Sequence, residues 1–119
     1  MLNFSSAKIL LCVAPTDMRK SFDGLAALVR EHLKSDPLSG TWFVFRNRRG
    51  DKLKLLYWDK DGYAVWQKRL EEGSFEFPKI ETDAVGVSIP ASDLALILSG
   101  IDLASAKRRK RFKLERQAG

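Results

Sequence analysis

A chain of 119 residues, 45% hydrophobic and 30% charged, can bury one core without metal or disulfide support. One cysteine, Cys12, excludes an internal disulfide, and with His32 the only histidine a structural zinc site is excluded as well. The formal charge of +6 is unevenly placed: residues 1–106 hold 14 basic and 14 acidic side chains, whereas residues 107–119 hold seven basic ones against Glu115 alone.

Ile9 to Val13 is a continuous apolar run ended by Ala14-Pro15, which predicts a first strand with an inert, buried Cys12 thiol. Thr16 or Asp17 can cap a short helical turn, and Ser21 can cap the main helix. In that helix Phe22, Leu25, Ala26, Val29 and Leu33 share one face, and Ser35-Asp36-Pro37 ends it. Gly24 costs the helix about 1 kcal/mol relative to Ala, which points to close packing at that position. His32, on the helix flank, reads as a boundary residue rather than a general base.

Thr41 to Gly62 organises the rest. Two strand-like runs flank Arg48-Arg49-Gly50-Asp51, a hairpin turn with glycine at a positive-φ position. Pairing Phe45 with Leu53 and Phe43 with Leu55 gathers apolar side chains on one face. The other face then carries Trp42, Val44 and Arg46 beside Lys52, Lys54, Leu56 and Trp58. Asp59 to Gly62 forms a second turn. Trp66 and Leu70 recur at helical spacing before Gly73, so residues 62–72 are expected to be helical, with strand alternation as the alternative. Phe75 to Pro78 reads as extended, and Ala84 to Ile89 as a strand ended by Pro90. Ser92 caps a last helix through Leu98, closed by Gly100. The expected fold is α+β, in the order β-α-β-β-α-β-α, with an antiparallel or mixed sheet and helices on one face. A compact domain over residues 1–106 would precede a flexible basic tail over 107–119.

Little in the chain points to catalysis. Asp59, Asp61 and Asp17 could serve a divalent-metal phosphodiesterase, but Asp59 and Asp61 fit a turn that bonds its own backbone better. The calcium-loop pattern they begin is not completed, and there is no glycine-rich phosphate loop. No catalytic residue, metal, cofactor or small-molecule substrate is expected. No apolar run approaches membrane-spanning length, and residues 1–15 lack a secretory pattern, so a cytoplasmic protein is expected. The cations are the better candidates for function. Arg46, Arg48, Arg49, Lys52 and Lys54 cluster on the hairpin, and Lys107, Arg108, Arg109, Lys110 and Arg111 open the tail. Such groups can grip nucleic-acid phosphates, or simply decorate solvent faces. Trp42, Leu56 and Trp58 would form an apolar patch for a protein partner.

Asp17-Met18-Arg19-Lys20, Phe22-Asp23-Gly24-Leu25, Phe43-Val44-Phe45-Arg46-Asn47 and Lys54-Leu55-Leu56-Tyr57-Trp58-Asp59 occur in this order, followed by Lys68-Arg69-Leu70-Glu71 and Leu98-Ser99-Gly100-Ile101-Asp102. Over residues 8–112 the chain resembles the small second-reading-frame accessory protein, of the TnpB type, from the insertion-sequence family numbered sixty-six. It does not resemble the RNA-guided nuclease that shares that name. The resemblance implies a non-catalytic accessory role beside a separate transposase in bacterial DNA transposition; together with the basic surfaces this makes DNA, the transposase, or both the expected partners, with nucleoid association when bound to DNA. It supplies no active-site residues.

Overall fold

The computed structural model describes residues 2–79, 83–102 and 107–108. Strand β1 (Ile9–Cys12) leads through helix α1 (Phe22–Glu31) to β2 (Trp42–Arg46), β3 (Lys52–Asp59) and β4 (Gly62–Arg69). Then follow β5 (Gly86–Ile89), helix α2 (Ala91–Ser99) and a two-residue ladder between β6 (Ile101–Asp102) and β7 (Lys107–Arg108). The main sheet has the order β4-β3-β2-β1-β5. Its β1–β2 pair is parallel, because α1 crosses between them, and its other neighbours are antiparallel. This is the expected α+β class with a mixed sheet.

Both faces of the sheet are core. On one, Leu25, Ala26 and Val29 of α1 pack against Cys12, Phe43, Phe45 and Leu56. On the other, Leu94 and Ile97 of α2 pack against Ile9, Leu11, Val44, Leu53 and Leu55. Strand alternation sends successive side chains to opposite helices, so the helices lie on opposite faces and not on one. Each large side chain buried this way contributes about 1.5–3 kcal/mol. Truncating Phe43, which has no exposed surface, would cost about 3–5 kcal/mol.

That double covering also corrects the hairpin register. Phe43 lies opposite Leu56, Val44 opposite Leu55, and Phe45 opposite Lys54. The expected register requires one solvated face. With α2 present, Leu53 and Leu55 are needed beside Val44, which sends Lys54 to the α1 face. Lys54 is only 8% exposed there, and its Nζ donates to the Lys20 carbonyl at 2.6 Å, satisfying an ammonium that could not be buried alone. The close packing expected at Gly24 belongs to the same contact. A Cβ at Gly24 would meet Lys20 Cβ at 3.2 Å, so the missing side chain leaves room for the Lys20 stem.

Residues 62–69 are strand, not helix, paired with β3 over eight consecutive positions. Ser21 occupies the N-cap position of α1 without a side-chain cap bond, and α2 starts at Ala91 after Pro90 rather than after Ser92. Gly100 does end α2, in the left-handed region at φ 79°.

Candidate nucleic-acid interface

The β2–β3 turn is built around one amide. Asn47 Oδ1 accepts from the Gly50 and Lys52 amides at 2.9 and 3.1 Å, while Asn47 Nδ2 donates to Asp51 Oδ1 at 2.7 Å. The backbone completes the lock, since the Phe75 amide donates to the Gly50 carbonyl and the Leu70 amide to the Asp51 carbonyl, both at 2.8 Å. Gly50 sits at φ 78°, which its lack of a Cβ permits. The Asn47 hydrogen bond holds the Asp51 carboxyl below its usual range against an opposing desolvation, with lesser help from the Arg49 and Lys52 charges.

Beside this turn the 16–20 segment is docked by the Thr16 amide, which donates to the Arg46 carbonyl at 2.7 Å. Asp17 Oδ1 accepts from the Arg19 amide at 2.9 Å, and its carboxylate forms a two-pronged ion pair with the Arg19 guanidinium. That pair lowers the exposed Asp17 carboxyl to about 2.

Two adjoining clefts open here, each of about 420 Å³, with Met18 and Lys52 common to both. One runs past Arg19, Arg48 and Arg49. The other runs past Lys54, Lys68 and Arg69. Seven cationic residues line the two clefts, against the carboxylates of Asp17 and Glu71. Each of those acids already faces an arginine, Arg19 at 2.7 Å and Arg69 at 3.2 Å. Arg48, Arg49, Lys52 and Lys68 are exposed and have no ion pair among the described residues. The arrangement presents positive charge at a fixed end of the sheet and no nucleophile–base pair.

Of the cations singled out from the sequence, Arg48, Arg49 and Lys52 come together at this rim. Arg46 and Lys54 are committed elsewhere. Arg46 Nη2 donates to the Val13 carbonyl at 2.6 Å, and its guanidinium lies 5.6 Å from the Phe77 ring centroid. Lys68 and Arg69 join the rim because residues 62–69 form a strand and not the expected helix; in strand β4, Arg69 stands directly opposite Lys52. In the tail, the backbones of Lys107 and Arg108 pair with β6, while Arg109, Lys110 and Arg111 lie outside the described residues.

The proposed apolar patch is not presented to solvent. Leu56 has no exposed surface, and Trp42 is 8% exposed. Trp42 is stacked on Tyr57 with centroids 3.7 Å apart. Trp58 is half-buried and meets Tyr63 edge-on at 5.2 Å. The acidic constellation is not assembled either. Asp17 lies at the basic end, whereas Asp59 and Asp61 flank the opposite end of β3, roughly 23 Å along the strand. Among the described residues no three metal-ligating side chains gather to hold an ion. Burial pushes the Cys12 thiol up, with hydrogen bonds to Thr16 and the Ala14 carbonyl opposing, so it is protonated at neutral pH. Although His32 borders the same small cavity, the two form no thiolate–imidazole pair.

A mixed five-stranded sheet covered by a helix on each face, with a cationic rim at one end, makes a small α+β domain. The chain belongs to the family of IS66 Orf2-like proteins, whose model matches residues 7–108, and is thus the small accessory protein of that insertion-sequence family, in agreement with its motifs. It is similar to two uncharacterised proteins of Sinorhizobium fredii. The protein y4jC is 37% identical over 102 residues, covering 86% of each chain. The protein y4hO is 42% identical over 97 residues, covering 82% of this chain and 83% of its own. No solved structure matches, and no helix among the described residues is long and apolar enough to cross a membrane.

Proposed function

We propose that this accessory protein acts in transposition as a non-catalytic DNA-binding subunit, gripping phosphates with the rim formed by Arg48, Arg49, Lys52, Lys68 and Arg69. The observation that carries the reading is the pair of adjoining clefts, where exposed cations outnumber carboxylates and those carboxylates already face arginines. Fixed cations of this kind neutralise backbone phosphates without reading sequence, so they position the protein rather than select a site. Lys107 to Arg111 add a second source of phosphate contact, and the transposase of the same element is the protein partner that the bound subunit would meet. The working location is the cytoplasm, on the nucleoid when DNA is bound.

The test is fluorescence anisotropy on duplex DNA over a salt series, with three full-length proteins. These are the unaltered chain, Arg48→Gln with Arg49→Gln and Lys52→Gln, and Arg109→Gln with Lys110→Gln and Arg111→Gln. Substituting the tail rather than removing it keeps β7 paired with β6. Log affinity should fall against log salt, and the rim variant should flatten that slope by about 0.9 per lost phosphate contact, up to nearly three in all. Equal affinity and equal slope in the rim variant would assign any binding to the tail and overturn the rim. No binding by the unaltered chain would leave the transposase as the partner to test directly.

A further inference from the structure

The two edges of the main sheet are protected to different degrees. Strand β5 is four residues long, starts at Gly86 and is followed by Pro90. Strand β4 is eight residues long, has Tyr63-Ala64-Val65-Trp66 at its centre and contains no proline. Its pairing with β3 runs through eight positions without a bulge. Natural sheets blunt exposed edges with short strands, prolines, bulges, charges or a covering segment. Among the described residues charge is the one such device on β4, and it is confined to Lys68 and Arg69 at one end. Among the described residues no strand pairs with its outer side.

The direction of its free backbone groups follows from one bond. The Leu70 amide donates to the Asp51 carbonyl, one residue beyond the Lys52–Arg69 end of the β3–β4 ladder, so even-numbered positions point their backbone groups inward. By alternation Tyr63, Val65, Gln67 and Arg69 point N–H and C=O away from the sheet. Among the described residues none of these outward groups makes a further backbone hydrogen bond.

We propose that β4 pairs antiparallel with β4 of a second copy, about a two-fold axis through Val65 perpendicular to the sheet, joining the two five-stranded sheets into one. Such an axis keeps the α1 face of both copies on the same side, so paired residues must share parity. Centring on Val65 meets that condition with outward groups only: Val65 faces Val65, Tyr63 faces Gln67, and Asp61 faces Arg69. Each end then sets a carboxylate opposite a guanidinium, a favourable cross-strand pair. Sliding the centre to Gln67 leaves Asp61 beyond the ladder and puts Arg69 against Val65. Sliding it to Tyr63 puts Asp61 against Val65. Parallel pairing would instead bring the two Lys68-Arg69 ends side by side. Centres on Ala64 or Trp66 also keep parity, but they set Asp61 opposite Gln67 or Glu71. Of the centres along β4 only Val65 places a carboxylate opposite a guanidinium at both ends, and charge selects that register. The inference rests on backbone pairing and not on the nucleic-acid reading, with which it shares only Arg69.

Sedimentation equilibrium of the full-length protein at micromolar concentrations tests it. The expected species has twice the 13.5 kDa chain mass. Val65→Pro removes an outward amide that faces solvent in the single chain, a position where an edge strand tolerates proline. Dimerisation should weaken about tenfold or more, with folding checked by thermal melting. Asp61→Arg and Arg69→Asp should each weaken the dimer, and the double exchange should restore it whether or not the proline variant folds. A mass of one chain throughout overturns the proposal, as does a folded Val65→Pro variant that dimerises unchanged. Failure of the exchange to restore pairing overturns the register.

Discussion

The two turns that bound β3 have the same task, reversing the chain between antiparallel strands, and solve it by different means. At the β2–β3 turn, Asn47 ties down Gly50, Asp51 and Lys52, and the backbone of residues 70 and 75 bonds onto it from elsewhere in the chain. At the β3–β4 turn, Asp59, Lys60 and Asp61 are exposed, and Lys60 takes a positive φ of 59° without glycine's help. The first turn is held by tertiary bonds, and the second by local geometry. Cations gather at the first, on a backbone pinned by these bonds, so less ordering would remain to be done on any contact they make.

Breaking the tertiary lock should show the largest difference. Asn47→Ala removes three hydrogen bonds and leaves amides unpaired, so it should cost about 2–3 kcal/mol in urea unfolding. Asp61→Ala at the other turn should stay within about 0.5 kcal/mol. Similar losses from both would mean that the turns are held equivalently. The glycines sharpen the contrast. Gly50→Ala forces a Cβ at φ 78° beside Ser74, 3.4 Å away, and should cost about 1–2 kcal/mol. Gly62 has open space and no positive φ, so Gly62→Ala should be neutral or stabilise by up to about 1 kcal/mol. Both shifts are readable as changes in urea midpoint at constant slope.

Local features of this fold were legible in the sequence. The α1 face of Leu25, Ala26 and Val29 and the glycine stop at Gly100 depend on neighbours a few residues apart, and both are found. The hairpin register was not legible, because it depends on whether a distant helix covers the second face. Parity alone allowed Lys54 to be placed on a solvated face, and only Lys20, 34 positions away, explains its burial. Strand β4 failed for another reason. Trp66 and Leu70 are four apart, and four is both one helical turn and an even number. The spacing therefore fits a strand face equally well, and both residues pack on the α2-side core. The cationic rim was half legible for the same cause: Arg48, Arg49 and Lys52 were visible as a run, while Arg69 reaches them only through the β3–β4 pairing.

The smallest effect separates two acids, Asp17 at the rim and Asp51 in the turn beside it. Asp17 is held at about 2 chiefly by the Arg19 guanidinium, and Asp51 is held low chiefly by the Asn47 amide. In both, the folded value lies below the ordinary 3.8. Their contributions to stability are therefore present above about pH 4 and are lost as pH falls through the folded value. Both groups lie in solvent, so the pH effect on unfolding should be slight and should shrink further in salt. Side-chain carboxyl NMR resolves them individually. Arg19→Ala should move the Asp17 midpoint up toward 3.8 and leave Asp51 in place, whereas Asn47→Ala should do the reverse. If Arg19→Ala moved both, the 16–20 segment and the turn would share one electrostatic unit, and the rim would have to be treated as a single coupled site rather than as two adjoining clefts.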